Sequence, residues 1–413
     1  MAPPDVVCLS HLPWEQALER PHQVMQRFAR DRHVFFVEPP VVEGIETRTV
    51  MRTVEPNVHV VSLQLPSDTT PADVDVAQRR CVAALAGHAE HPLLWVYAPS
   101  SVPAARDLDA SLVVYDCVLD HAARRAAPPE EQAREASLLA RADVVFTAGT
   151  SLFDAKRAHN ISTFPLPSSV DAAHFAAPAP RSGRQAPAPV SPRGWRVGFL
   201  GPIDDRVDLG LVDALAAARP DVQIALVGSL VGVTTWDLPD RPNVHWLGDR
   251  AYAELPGLIA SWDVAIVPFA GDVATRRTEP SGLLPCLAAG KPVVSTPLDE
   301  LTALGARGLV DVADAHRFVD AVGEALRRTR DPVLTAARTR ALDELLARTS
   351  WDRTFHAMLR LVDEAQMGRA VAARRRRQDE HEHEPPNRES ALSPRPRLVR
   401  WCGGRDGFLE ELS

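Results

Sequence analysis

The chain has 413 residues, 45% of them hydrophobic and 24% charged, and a formal net charge of -8. That length exceeds what one hydrophobic core usually serves, so two α/β domains and a tail are expected. The negative balance gives no blanket attraction to nucleic acid or anionic lipid, so no nucleic-acid partner is expected and any basic site is local. Five scattered cysteines without a CxxC pair (Cys8, Cys81, Cys117, Cys286, Cys402) argue against zinc or a redox dithiol and are expected to be reduced and mostly buried. The start, Met1 to Asp5, has neither a basic nor a sustained apolar region. No run reaches the roughly 18 apolar residues of a membrane span. The expected address is the cytoplasm, with peripheral membrane contact left open.

From the beginning, short apolar runs alternate with helical stretches: Val6 to Leu9, Val34 to Val37, Val58 to Leu63, Leu93 to Tyr97, Leu112 to Tyr115 and Val144 to Thr147. Helical spacing falls between them, at Gln23 to Ala29 and at Glu130 to Ala140, the second with Pro128-Pro129 ahead of it as a start signal. This βα alternation predicts a parallel, doubly wound, Rossmann-like domain over residues 1–175. Residues 176–194 are too rich in Pro, Ala, Ser and Arg to hold a helix or a central strand and read as a linker.

The alternation then restarts. Strands are expected at Val197 to Leu200, Ile224 to Val227, Val244 to Leu247, Val264 to Val267 and Val293 to Ser295. Helices are expected at Leu209 to Ala218, Tyr252 to Ala260 and Leu283 to Ala289, giving a second Rossmann-like domain over 195–349. The pattern from Phe318 to Ala365 is helical, and Ser350 is a suitable N-cap for a final helix over 350–366. Residues 367–413 mix charge runs with prolines and are expected to be a disordered tail that can be deleted without loss of fold; His381 and His383 read as part of it rather than as metal ligands.

In doubly wound sheets ligands bind beyond the carboxyl ends of the strands, so the residues just after each strand are informative. In the first half these include Ser10-His11, Ser100, Asp116 and Asp120-His121; in the second, Gly201, Gly228-Ser229 and Gly248. A glycine there lets backbone approach a pyrophosphate, although glycines also end strands for turn geometry alone. Arg206 has the planar fork that suits a diphosphate, or else it pairs with Asp204, Asp205 or Asp208. The run Thr278-Glu279-Pro280-Ser281-Gly282 opens the helix beginning at Leu283, whose free amides make an anion site; Ser281 alone also fits a structural N-cap.

Several segments in order are similar to retaining bacterial glycosyltransferases related to family 4. In the second half these are Leu200-Gly201-Pro202, Pro242 to Gly248 (which includes Leu247), Tyr252 to Pro256, Trp262 to Phe269 and Leu287 to Thr296. In the first half they are Ser10 to Trp14, Glu19-Arg20-Pro21-His22-Gln23, Tyr115-Asp116-Cys117, Ala140 to Thr147 and Pro167 to Asp171. The resemblance implies a GT-B architecture: two Rossmann-like domains, an interdomain cleft and a last helix that crosses back to the first domain. It implies a nucleoside diphosphate sugar held by the second half and a glycan, lipid-linked or small-molecule acceptor held by the first. No cofactor or obligatory metal is implied.

On that reading the donor side comprises Gly201, Arg206, Gly228, Ser229, Leu247, Gly248, Glu279, Ser281, Gly282 and Leu283. Ser10, Arg20, Ser100 and Asp116 belong to the acceptor side. Asp120, His121 and His11 are the candidates to orient or deprotonate the acceptor hydroxyl, a hydrogen-bonded structural role being the alternative for His11.

The family pattern departs at the helix before Ala289-Gly290. Its two glutamate positions, counted back from that turn, hold Arg277 and Pro285, and its lysine position holds Gly282. A local register recovers the first glutamate as Glu279. Three functions fit these residues: sugar transfer, a non-catalytic protein of this fold that binds a sugar nucleotide or a partner, and sugar-nucleotide epimerisation.

Overall fold

The computed structural model describes residues 3–15, 19–121, 129–176, 194–382, 400–401 and 409–410. Contacts divide the chain into two compact units, Met1–Ala365 and Gln366–Ser413.

The first half of the larger unit runs β1 (Val6–Leu9), α1 (Arg20–Phe28), β2 (Val34–Val37), β3 (Val41–Gly44), β4 (Arg48–Glu55), β5 (Val58–Pro66), α2 (Pro71–Ala84), β6 (Leu93–Val96), β7 (Leu112–Cys117), α3 (Pro129–Arg141), β8 (Val144–Thr147), α4 (Thr150–Lys156), β9 (Thr163–Pro165) and α5 (Ala172–Ala176). Its sheet has the order β3-β5-β2-β1-β6-β7-β8-β9, with β4 added antiparallel to β5. β1, β2, β6, β7 and β8 are buried along their whole length, which is why they read as unbroken apolar runs rather than alternating ones. The β3 and β4 strands alternate between exposed and half-buried residues, and charged positions such as Arg48 and Arg52 hide them from a search for apolar runs.

The second half runs β10 (Trp195–Leu200), α6 (Leu209–Ala218), β11 (Val222–Val227), β12 (Val244–Gly248), α7 (Leu255–Ala260), β13 (Val264–Val267), α8 (Val273–Arg276), α9 (Leu283–Ala288), β14 (Val293–Ser295), α10 (Thr302–Ala306), β15 (Val310–Val312), α11 (Ala315–Arg328), α12 (Pro332–Leu346) and α13 (Trp351–Glu382). Its six strands are all parallel, in the order β12-β11-β10-β13-β14-β15. Local signals start the helices. Asp208 caps α6 by accepting from Leu211 N–H, and Asp331 accepts from Val333 and Leu334 N–H ahead of Pro332 at the start of α12.

Three core clusters follow. Two flank the first sheet and one surrounds the second. Trp351, Phe355, Met358 and Val362 of α13 join the cluster that contains Val6, Phe28 and Trp95, so the last helix packs on the first half. Val170 and Phe175, which sequence order places in the first domain, pack instead in the core of the second sheet with Leu283 and Leu287. They follow the last strand of the first sheet, so the chain has already left that sheet before residue 176.

The expected linker at 176–194 lies outside the described residues, save that Ala176 ends α5 and Gly194 precedes β10. The expectation of disorder from residue 367 is corrected as far as Glu382, where α13 ends; residues 383–399, 402–408 and 411–413 of the expected tail, His383 among them, lie outside the described residues. Its Ala, Arg, Gln and Glu residues are strong helix formers, and charge alone does not stop a helix. The smaller unit also holds a short antiparallel pair, β16 (Arg400–Trp401) with β17 (Leu409–Glu410). Cys8, Cys81, Cys117 and Cys286 are free and buried; Cys402 lies outside the described residues.

Candidate active site

The carboxyl ends of β1, β7, β10 and β11 open onto one cleft of ≈ 440 Å³ between the two sheets. Of the sequence candidates, His11, Arg20, Ser100 and His121 line it from the first half. Gly201, Arg206, Gly228, Ser229, Glu279, Ser281 and Gly282 line it from the second.

The remaining candidates do not reach the cleft. Ser10 turns its hydroxyl to the backbone of Leu12, donating to the carbonyl at 2.8 Å. Leu283 is a core residue at 3% exposure, buried because it is the first inward position of α9. Leu247 also belongs to the core of the second sheet, and Gly248 spends its carbonyl on the N–H of Gly228. Asp249 and Arg250, the next two residues, line the cleft in their place.

Asp116 and Asp120 are corrected as well, and for a common reason. Asp116 has no exposure; it accepts from Arg20 Nε at 3.0 Å and from Trp95 Nε1 at 3.3 Å. Arg20 also donates Nη1 to the Leu166 carbonyl at 2.7 Å, so Asp116 fixes Arg20 at the cleft wall rather than meeting a ligand itself. Asp120, 2% exposed, is held by Lys156 Nζ at 2.8 Å and by Arg277 Nη1 at 2.8 Å. Burial works to raise its pKa, but the two cations outweigh it and hold the carboxyl below the usual value of 3.8. With one oxygen on Lys156 and the other on Arg277, Asp120 does not line the cleft. Its neighbour His121 does line the cleft, with Nδ1 paired to Glu131 at 2.9 Å.

The glycines serve close packing of backbone. A Cβ on Gly228 would stand 2.0 Å from the Gly201 carbonyl oxygen, and one on Gly282 would stand 1.9 Å from that of Leu200. The ends of β10 and β11 and the start of α9 are thereby locked together, and position 282 has no room for a side chain. Gly282, not Ser281, is the N-cap of α9, which has only six residues.

Arg206 lines the cleft, yet its guanidinium is already forked onto Asp204, with Nε at 2.9 Å and Nη2 at 2.6 Å. Six carboxylates line the cleft (Glu19, Asp171, Asp204, Asp205, Asp249, Glu279) against three arginines, Arg20, Arg206 and Arg250. Two of the acids are strongly perturbed. Burial lifts Glu19 to about 7, with Arg206 and the Ser281 hydroxyl pulling the other way. Burial likewise lifts Glu279 to about 7, against Arg20 and the Ser168 N–H that it accepts at 3.1 Å. Glu19 had a sequence signal as an acid just before Arg20-Pro21 at a helix start, but nothing there told of its place in the cleft wall.

His11 is pushed down to about 3, first by burial and then by His121, His22 and Arg206, and its Nδ1 is buried without a hydrogen-bond partner. A neutral ring accepts hydrogen bonds over the whole working range. A proton refused by the folded state and taken by the unfolded chain between pH 6.5 and 3 lowers stability as pH falls through that window. The expected NMR titration of the His11 ring is flat from pH 8 to 4, and an inflection near 6.5 would show a solvated imidazole.

The two halves are fastened around the cleft by contacts that sequence reasoning did not find. Glu300 accepts from Ser151 N–H at 2.7 Å, and Gly149 leaves the space this needs, since a Cβ there would lie 2.5 Å from the Glu300 carboxylate. Ser169 Oγ, next to Val170 in the core of the second sheet, meets Thr354 Oγ1 of α13 at 2.8 Å, while His174 stacks on Tyr252 at 4.1 Å and 5° and so ties α5 to the second half.

Residues 195–328 match the family model described as glycosyl transferases group 1. The putative teichuronic acid biosynthesis glycosyltransferase TuaH of Bacillus subtilis (strain 168) is 32% identical over 108 residues, 25% of this chain and 27% of that protein. The match thus spans about a quarter of the curated relative's length. Among solved structures, the sucrose-phosphate synthase of Thermosynechococcus elongatus superposes with a TM-score of 0.68 at 16% identity, covering 87% of this chain and 98% of that one. WaaG, a glycosyltransferase involved in lipopolysaccharide biosynthesis, gives 0.63 at 14% identity, with 86% and 98% covered. Anabaena Alr3699/HepE in complex with UDP and glucose gives 0.60 at 15% identity, with 87% and 100% covered. The chain therefore has the GT-B fold, and the match to the glycosyl transferases group 1 model lies in its second half, at residues 195–328.

Proposed function

We propose that this protein is a glycosyltransferase that moves a sugar from a nucleoside diphosphate sugar to an acceptor hydroxyl, with retention and without a metal. The observation that carries the reading is the cleft at the facing carboxyl ends of two doubly wound sheets, with Arg206 on one wall and His11, Arg20 and His121 on the other. The HepE relative was solved with UDP and glucose, which supports a nucleotide-linked sugar as donor.

The bond from the sugar's anomeric carbon to the diphosphate breaks, the acceptor oxygen takes its place, and the departing diphosphate carries away the hydroxyl proton. Arg206 stabilises charge growing on that leaving group. His11, neutral throughout, accepts a hydrogen bond from the acceptor hydroxyl and aims it; His121 flanks it.

Arg206→Ala is expected to weaken nucleotide-sugar binding by tenfold to a hundredfold, the equivalent of losing about 1.5–3 kcal/mol of charge-assisted hydrogen bonding. Titration calorimetry on the best ligand from a thermal-shift panel of UDP, GDP and dTDP sugars checks this. Unchanged affinity in a folded variant would leave Arg206 as the partner of Asp204 alone.

One observation favours a second reading, a binding protein without transfer activity: carboxylates outnumber arginines in the cleft, and Gly282 has no space for a cationic side chain. Binding without transfer or hydrolysis across a donor and acceptor panel would select it.

A further inference from the structure

His121 stands on the turn after β7, and its backbone is held there from several sides. Its N–H donates to the Leu119 carbonyl at 3.0 Å, and the thiol of Cys117 donates to the same carbonyl at 3.3 Å. The neighbouring Asp120 is anchored on Lys156 and Arg277. His121 is 8% exposed and lines the cleft, while Nδ1 of its ring lies 2.9 Å from Oε1 of Glu131, in the first turn of α3. Glu131 does not line the cleft, so the pair is made behind the wall.

A carboxylate only accepts hydrogen bonds, so this contact requires His121 to carry a proton on Nδ1. In the neutral ring the other nitrogen is then an acceptor, and with Nδ1 turned to Glu131 behind the wall, Nε2 is the ring nitrogen left to the cleft. The helix start does not need the pair. Glu130, exposed in the same turn, gives the amino end of α3 an equivalent negative charge.

In the transferase reading above, His11 accepts the one hydrogen bond that the reacting hydroxyl can donate. We propose that Glu131 is a positioning residue, which holds His121 as the Nδ1–H tautomer so that Nε2 accepts a hydrogen bond from a second hydroxyl of the acceptor. The role rests on that reading and adds to it a residue outside the cleft that governs acceptor binding. Without the carboxylate, the ring is free to turn and to place its proton on Nε2, which makes it a donor where an acceptor is needed. An amide at position 131 still offers a carbonyl oxygen to Nδ1–H, whereas a methyl group offers nothing.

Two measurements test this. Long-range proton–nitrogen NMR of the imidazole rings is run at pH 8, where an imidazole is ordinarily neutral, with the His121 signals identified by their loss in H121A. Wild type and E131Q are expected to show Nδ1 protonated and Nε2 unprotonated, and E131A the reverse or a mixture. Turnover is read with UDP-glucose, GDP-mannose and dTDP-glucose as donors against methyl glucoside, methyl galactoside and N-acetylglucosamine. E131A and H121A are expected to raise the acceptor KM about tenfold, the equivalent of one lost hydrogen bond, with nucleotide-sugar affinity unchanged. E131Q should stay within about twofold of wild type and E130A should match it, and E131A should add nothing in the H121A background, because both act through one ring. A wild-type His121 protonated on Nε2, or a loss in E131A that H121A does not mask, overturns the role of Glu131 and leaves the transferase reading intact. Absence of transfer and hydrolysis with every donor overturns the transferase reading and the acceptor contact with it, while the ring signals still decide whether Glu131 sets the tautomer.

Discussion

Asp120→Ala is expected to lower the stability of the chain by about 3–5 kcal/mol, because removing one member of a buried ionic group strands the others. Lys156 is 5% exposed and lies between Asp120 and Glu135, with Nζ at 2.8 and 2.9 Å. Burial works against its charge, but Cys117, Glu135 and Asp120 together keep its pKa raised. Without Asp120 that balance fails, and Arg277 loses its anchor in the first half. Arg277→Ala is expected to cost less, since its side chain is 34% exposed and water replaces part of the interaction. The urea midpoint of each variant measures the difference. The stabilisation from Asp120 is present above its unfolded value near 3.8 and lost as pH falls through the lower folded value, so the gap between wild type and variant should close in acid. A variant as stable as wild type but devoid of transfer would restore Asp120 to the catalytic residues.

Much of this arrangement was legible beforehand in its outline and not in its detail. Fully buried parallel strands such as β1, β6 and β8 announce themselves as four-residue apolar runs, and the strand-end rule then brings His11, Gly201 and Arg206 to one cleft. That rule says which residues emerge from a sheet edge. It does not say which way a side chain turns. Asp116 and Asp120 emerge where expected and are then claimed by Arg20 from α1 and by Lys156 from α4, partners that are distant in sequence. Glu300 and Thr354 illustrate the same limit: each meets a residue distant in sequence, Ser151 or Ser169, and no local pattern marks such a pair. The outer strands β3 and β4 were hidden for a different reason, because half-exposed edges carry charges that break the apolar signal.

The cleft also has a charge pattern that composition concealed. A net charge of -8 over the chain says nothing of six carboxylates against three arginines in one enclosed space. Arg20 and Arg206 are each paired with an aspartate, Asp116 and Asp204, whereas Arg250 Nε is buried without a hydrogen-bond partner.

Phe355→Ala is expected to cost about 3–5 kcal/mol, the range for truncating a large buried aromatic to alanine. Trp351, Phe355, Met358 and Val362 fall at helical spacing on one face of α13 and are each at most 6% exposed. Arg360, on the outer face at 71% side-chain exposure, sets the control: Arg360→Ala should stay within about 0.5 kcal/mol of wild type. The ring of Phe355 meets Phe28 edge-on at 4.8 Å, and Phe28 meets Trp95 edge-on at 5.4 Å. Trp95 donates to Asp116, and Asp116 holds Arg20 at the cleft wall. The last helix is thus a packing support for a residue of the proposed acceptor side. A cavity at Phe355 lets Phe28 and Trp95 relax, so the variant should lose acceptor-side affinity more than donor-side affinity even at temperatures where it remains folded. Thermal melts together with separate titrations of nucleotide sugar and acceptor decide the matter; equal loss of both would mean that the helix stabilises the fold without supporting Arg20.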